Sequence, residues 1–111
     1  MKQSEFLNKF YLIVFAFASV VNLASHSYAD YNSGYNAAAV GDFDRAFGFW
    51  IISANEGDAA SQFAMGYLYD EGLAVELNKE EALKWYKLSA QKNYAPAQFA
   101  LGEIYDFGLF F

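Results

Sequence analysis

The chain has 111 residues, 56% hydrophobic and 21% aromatic, with 7 Lys and Arg against 13 Asp and Glu for a net charge of −6. That composition is too apolar for a disordered chain, and the length leaves room for one domain. The acidic balance argues against a nucleic-acid partner, because phosphate contacts need clustered Lys and Arg. Zero Cys excludes a disulfide scaffold, a thiolate metal site, a cysteine nucleophile and a lipidated N-terminal Cys.

The first element is an export signal. Residues 1–9 (MKQSEFLNK) are polar and carry Lys2 and Lys9, with Glu5 diluting the charge. Residues 10–21 (FYLIVFAFASVV) are an unbroken run of 12 apolar or small residues, and Ser27-Tyr28-Ala29 places small residues at −3 and −1 of a cleavage point before Asp30. This is the pattern of a signal peptide over 1–29, cleaved after Ala29. A membrane anchor is the alternative, but a span needs about 20 apolar residues and this run reaches roughly 15 if stretched to Ala24. On this reading the only membrane involvement is the uncleaved segment, and the mature chain is periplasmic or secreted. The mature part keeps 5 basic and 12 acidic side chains and loses His26, the only His.

The mature part repeats. Residues 59–74 (AASQFAMGYLYDEGLA) and 95–110 (APAQFALGEIYDFGLF) are identical at nine of 16 positions at an offset of 36, including Gln62/Gln98, Phe63/Phe99, Gly66/Gly102, Tyr69/Tyr105, Asp70/Asp106 and Gly72/Gly108. Ala46/Ala82, Ser53/Ser89 and Ala54/Ala90 match at the same offset. Such periods are the signature of stacked helix hairpins.

Taken in order, residues 31–40 read as a first, weaker helix before Gly41. Ala46, Phe49, Trp50, Ser53 and Ala54 share one face of a second helix, with Asp42 as its N-cap and Gly57 at its stop. The third helix runs over 59–71 and ends at Gly72. Ala82, Trp85, Tyr86, Ser89 and Ala90 repeat the second helix's face, with Asn78 as N-cap, Glu81 as a capping-box acid and Asn93 at the stop. The fifth helix runs over 95–107 and ends at Gly108. Gly66 and Gly102 inside helices cost about 1 kcal/mol each, so their shared phase suggests a helix crossing too close for a Cβ, with Tyr69 and Tyr105 packing over it. The predicted helices are about 30–40, 43–56, 59–71, 79–92 and 95–107.

These residues resemble the Sel-one-like repeat, a relative of the tetratricopeptide repeat. The family pattern A-x-A-Q-x-x-L-G-x-x-Y-x-x-G-x-G-V is met by Ala59, Ser61, Gln62, Met65, Gly66, Tyr69, Gly72, Ala74 and Val75, and A-x-x-W-Y-x-x-A-A-x-x-G by Ala82, Trp85, Tyr86, Ser89, Ala90 and Asn93. A further copy begins at Ala95, Ala97, Gln98, Leu101, Gly102, Tyr105 and Gly108. The resemblance implies an all-α solenoid of helix hairpins: a degenerate first repeat over 30–58, a complete one over 59–94 and a truncated third over 95–111. An acidic opening after a signal peptide is common among exported members. Ala74 stands where the second loop Gly belongs. A fifth helix without a hairpin mate implies self-association through an uncapped face, or a shortened protein with no working role of its own.

No catalytic set can be assembled. The mature chain has no His for general acid–base work and no Ser-His-Asp or Cys-His pair. Asp70-Glu71 and Glu80-Glu81 are neighbours about 100° apart on a helix, so neither pair converges on one substrate atom. Asp42-Phe43-Asp44 lacks the rest of a calcium loop. No metal or cofactor is expected. Trp50, Trp85 and Tyr86 read as core. Asp70 and Asp106, at one phase, suit either a helix cap or a partner. Partner contacts are expected where the repeats differ and face outward, at Tyr67 against Glu103 and Glu71 against Phe107. Some relatives carry disulfides and a few are linked to β-lactams, which makes an exported hydrolase the alternative. The leading expectation is a non-enzymatic, exported scaffold or adaptor for a protein or peptide partner, with a basic segment favoured by the acidic surface.

Overall fold

The structure, a computed structural model, describes Lys9 and residues 30–106. The signal segment, the stop at Gly108 and Phe107 therefore lie outside the described residues. Among those described, all regular structure is helical: α1 over 30–39, α2 Phe43–Asn55, α3 Ala59–Glu71, α4 Lys79–Gln91 and α5 Ala95–Asp106. The chain is an all-α stack in which α3 packs on α2 and on α4, and α4 on α5.

One closure ends four helices in turn. The N–H of Asp42 bonds the Ala37 carbonyl at 2.9 Å, Asp58 the Ser53 carbonyl at 3.0 Å, Leu73 the Leu68 carbonyl at 2.9 Å and Tyr94 the Ser89 carbonyl at 3.4 Å. Each bond needs the preceding backbone to turn left-handed, and it does so near Gly41 (φ 79°), Gly57 (φ 99°), Gly72 (φ 67°) and Asn93 (φ 62°). These bonds occupy carbonyls that a helix end otherwise leaves bare. Ala74 also has a positive φ of 62°, a left-handed conformation that glycine would adopt more freely.

The starts are capped by side chains. Asp42 accepts from the Arg45 N–H at 3.2 Å, and Asn78 from the Glu81 N–H at 3.0 Å. The second half of the expected capping box is not made. The Asn78 N–H bonds the Tyr69 carbonyl at 2.9 Å, a bare carbonyl of α3, and the Glu81 carboxylate turns to Lys84 at 3.3 Å. Asp58, a cap the repeat pattern does not reveal, accepts from the Ser61 N–H at 2.8 Å and its hydroxyl at 2.6 Å.

The core lies in two clusters. Ala46, Trp50, Ala54, Met65 and Leu68 form the first, and Ala82, Tyr86 and Ile104 the second. Trp50 and Tyr86 are buried as expected, whereas Trp85 is half-buried against the first cluster. Polar threads recur with the repeat. The Gln62 amide donates to the Ala54 carbonyl at 3.1 Å, and Gln98 to the Ala90 carbonyl at 3.3 Å. Ser53 bonds Ser61, and the Ser89 hydroxyl donates to the Ala59 carbonyl at 2.6 Å.

The tight crossing at Gly66 is real, but a different ring covers it. A Cβ there would stand 2.5 Å from Cδ1 and Cε1 of Tyr86 on α4. Tyr69 is half-buried and packs against both clusters instead. The same crossing occurs in the first hairpin, where a Cβ on Gly34 would stand 2.3 Å from the Trp50 indole nitrogen. That ring stacks on Tyr31 and donates its N–H to the Tyr31 carbonyl at 3.0 Å. Gly102 differs: nothing described lies within 4 Å of its Cβ position, and Tyr105 is half exposed.

Candidate functional site: an aromatic groove between the first and third helices

The seating of each ring on its glycine decides where the next residue points. One residue further along an α-helix is about 100° round its axis, so the residue after each glycine turns away from the covering helix. After Gly34 that residue is Tyr35, 60% exposed, and after Gly66 it is Tyr67, 45% exposed. Both line a groove of about 440 Å³ between α1 and α3. Ala38, Ala39 and Ala64 supply small walls, and Phe43, Phe63 and Trp50 the larger apolar ones.

Among the described residues no charged side chain lines this groove, and its polar side-chain groups are the hydroxyls of Tyr31, Tyr35 and Tyr67 together with the Trp50 N–H, which Tyr31 already engages. Burial, then the neighbouring Tyr94 and Asp58, pushes the Tyr31 phenol above its ordinary value of 10.0. Phe63 is held between Tyr86 at 5.5 Å and Tyr94 at 5.7 Å between ring centres. The groove thus offers fixed aromatic surface and a few hydroxyl donors, a combination suited to binding apolar side chains and carbonyls.

The sequence-derived partner residues do not form one patch. Tyr67 is in the groove. Glu71 is exposed one turn further along α3, outside the lining. Glu103 is exposed on α5 in a separate depression with Phe99, Gly102 and Asp106. Phe107 lies outside the described residues. Sequence reasoning missed Tyr35, although the repeated dipeptides Gly34-Tyr35 and Gly66-Tyr67 carry the signal.

Asp70, ambiguous in the sequence, joins two helices. It accepts from Lys79 Nζ at 2.6 Å and from the Tyr86 hydroxyl at 3.4 Å, and Lys79 also donates to the Asp70 carbonyl at 2.9 Å. Burial, then Asp70, pushes the Tyr86 phenol well above its ordinary range. Lys92 makes a comparable link from α4 to the Gly57 carbonyl.

The Sel1 repeat family model matches residues 24–58, 59–94 and 95–110, most of the chain. The chain belongs to the Sel1 repeat family. Among solved structures it is similar to a Sel1 repeat protein from Oxalobacter formigenes, with a TM-score of 0.64 and 28% identity, covering 78% of this chain and 36% of that one. It is also similar to the chitin synthase regulator SKT5 of Saccharomyces cerevisiae, 37% identical over 57 residues, which are 51% of this chain and 8% of that protein. The chain thus spans a minor part of either relative. Sel1 repeat proteins are in general non-enzymatic helical scaffolds for protein–protein interaction.

Proposed function

We propose that this Sel1 repeat chain is an exported scaffold whose groove between α1 and α3 holds an apolar segment of a partner protein. The observation that carries the reading is the pair Tyr35 and Tyr67, two rings left exposed on one groove without charge among its described lining, while Trp50 and Tyr86 are buried. Rigid tyrosines bury large area at low entropic cost, which suits a binding surface. The excess of 12 acidic over 5 basic side chains after Ala29 favours basic residues flanking the bound segment, with Glu71 placed beside the groove to meet one. Export rests on the charged start, apolar run and Ser27-Tyr28-Ala29 of residues 1–29.

N-terminal sequencing of the chain recovered from a bacterial periplasm or medium tests export: the account expects Asp30 first, and a product starting at Met1 inside the cell contradicts it. For the groove, the Tyr35→Ala, Tyr67→Ala double variant should lose partner capture at least about tenfold, with the helices retained because neither side chain is in the buried core. Full capture by a folded double variant would reject the groove as the site.

A further inference from the structure

The rings that line the groove between α1 and α3 are held unequally. Trp50 is pinned by its bond to the Tyr31 carbonyl, and Phe63 is wedged between Tyr86 and Tyr94. Tyr35 and Tyr67 are exposed, and neither hydroxyl has a partner among the described residues. Ala38 and Ala39 on one wall and Ala64 on the other are too small to fill the space beside these rings. The groove therefore combines a fixed apolar floor with two phenol hydroxyls that are free to bond a ligand.

The walls restrict what can lie there. Both are helices, and the interior carbonyls of a helix are already bonded along it. No carboxylate stands among the described lining. The N–H groups of a bound segment thus find few fixed acceptors, whereas its carbonyls find phenol donors. Proline is the residue that keeps the carbonyl and lacks the N–H. A run of prolines holds an extended helix without internal hydrogen bonds, so its carbonyls stand free and little conformational freedom is lost on binding. Its compact apolar rings pack on aromatic side chains. Length agrees as well. Tyr31, Tyr35, Ala38 and Ala39 share one face of α1, and the wall from 31 to 39 is about 12 Å long at about 1.5 Å per residue. A polyproline helix rises about 3.1 Å per residue, so about four residues lie along it. Glu71, exposed one turn beyond Tyr67, puts a negative charge past one end of the groove, whose complement is a cation.

We propose that the groove between α1 and α3 receives a proline-rich segment of a partner protein in the polyproline II conformation, with its carbonyls on the Tyr35 and Tyr67 hydroxyls and a flanking lysine or arginine beside Glu71. The inference rests on the groove as the partner site and names the chemistry of what that site takes.

The probe is a synthetic peptide of consecutive prolines ending in two lysines, titrated into the nitrogen-15-labelled chain and followed by amide chemical shifts. A second peptide has valine at every proline position, which keeps three side-chain carbons per residue but restores the N–H. Saturable shifts at Tyr35 and Tyr67 are expected with the proline peptide, and binding at least about fivefold weaker with the valine peptide. The Tyr35→Ala, Tyr67→Ala double variant should weaken proline-peptide binding about tenfold or more. Tyr67→Phe, which keeps the ring and removes the donor, should weaken it by about two- to tenfold. Glu71→Gln should flatten its salt dependence. Leu88→Ala, outside the groove, should bind like the parent, and circular dichroism establishes that each variant keeps its helices.

Four results would overturn the inference. Equal or tighter binding of the valine peptide, lost in the double variant, would reject the proline-rich occupant and leave the groove standing as a site for apolar segments. Proline-peptide binding unchanged in the double variant would place that peptide elsewhere. If neither peptide gives saturable shifts, the occupant is not proline-rich, and crosslinking from position 67 decides separately whether the groove binds a partner. A concentration-dependent dimer of the chain alone, lost in the double variant, would make a second copy the occupant.

Discussion

Replacing Gly66 by alanine would place a Cβ 2.5 Å from Cδ1 and Cε1 of Tyr86 and 3.1 Å from its Cγ. Comfortable carbon–carbon contact is about 3.5–4.0 Å, so α3 and α4 must part by about 1 Å. The ring has little freedom to yield, because Phe63 packs on it at 5.5 Å and its hydroxyl reaches Asp70 at 3.4 Å. Overpacking of this kind costs about 1–3 kcal/mol, and the better helix propensity of alanine returns about 1 kcal/mol. A net loss of up to about 2 kcal/mol is expected, at roughly 4–8 °C per kcal/mol in melting temperature for a domain of this size. The same change at Gly102 meets no described atom within 4 Å and should stabilise by up to about 1 kcal/mol. Urea unfolding followed by circular dichroism measures both variants. If Gly66→Ala stabilises as much as Gly102→Ala, Tyr86 is not seated on Gly66 and the crossing is misread.

Ala74, held at φ 62°, should give about 1 kcal/mol when changed to glycine, since a Cβ in the left-handed region costs that order; unchanged urea unfolding would deny the strain. Gln62→Ala removes a buried bond to the Ala54 carbonyl, which keeps the Gly57 N–H at 3.0 Å, and should cost about 0.5–1.5 kcal/mol in the same assay. Gln98→Ala, which breaks an exposed bond, should cost under about 0.5 kcal/mol. For pH, Tyr86 is raised above 10.0 in the fold by burial and then Asp70. A raised phenol contributes stability that is fully present below pH 10.0 and is lost as pH climbs beyond it. Tyr86→Phe should therefore flatten the alkaline decline in melting temperature; an equal decline in both proteins would refute that origin.

Much of the fold was legible because its causes are local. The faces Ala46–Trp50–Ser53 and Ala82–Tyr86–Ser89 follow helical spacing, and Asp42, Asn78, Gly57, Gly72 and Asn93 mark helix ends through the chemistry of single residues. What escaped depends on distance across the fold. Gly34 is the partner of Trp50, but the α1–α2 connection is shorter than the α3–α4 connection, so Gly34 falls out of the 36-residue register. Asp58 escaped because Tyr94 occupies its place in the next repeat. Tyr69 was assigned to the Gly66 crossing because it is near in sequence, whereas the covering ring comes from the next helix. The groove needed both Tyr35 and Tyr67, and periodicity exposed one of them.

The most direct test compares two side chains of nearly equal exposure. Tyr67 in the groove is 45% exposed and Leu88 on α4, outside it, is 44% exposed. A photo-crosslinking residue is placed at each position in turn in the chain. The account predicts one dominant crosslinked partner from position 67, competed by the unlabelled chain, and none from position 88. Equal crosslinking from both positions, or from position 88 alone, would contradict a scaffold that binds through the groove between α1 and α3.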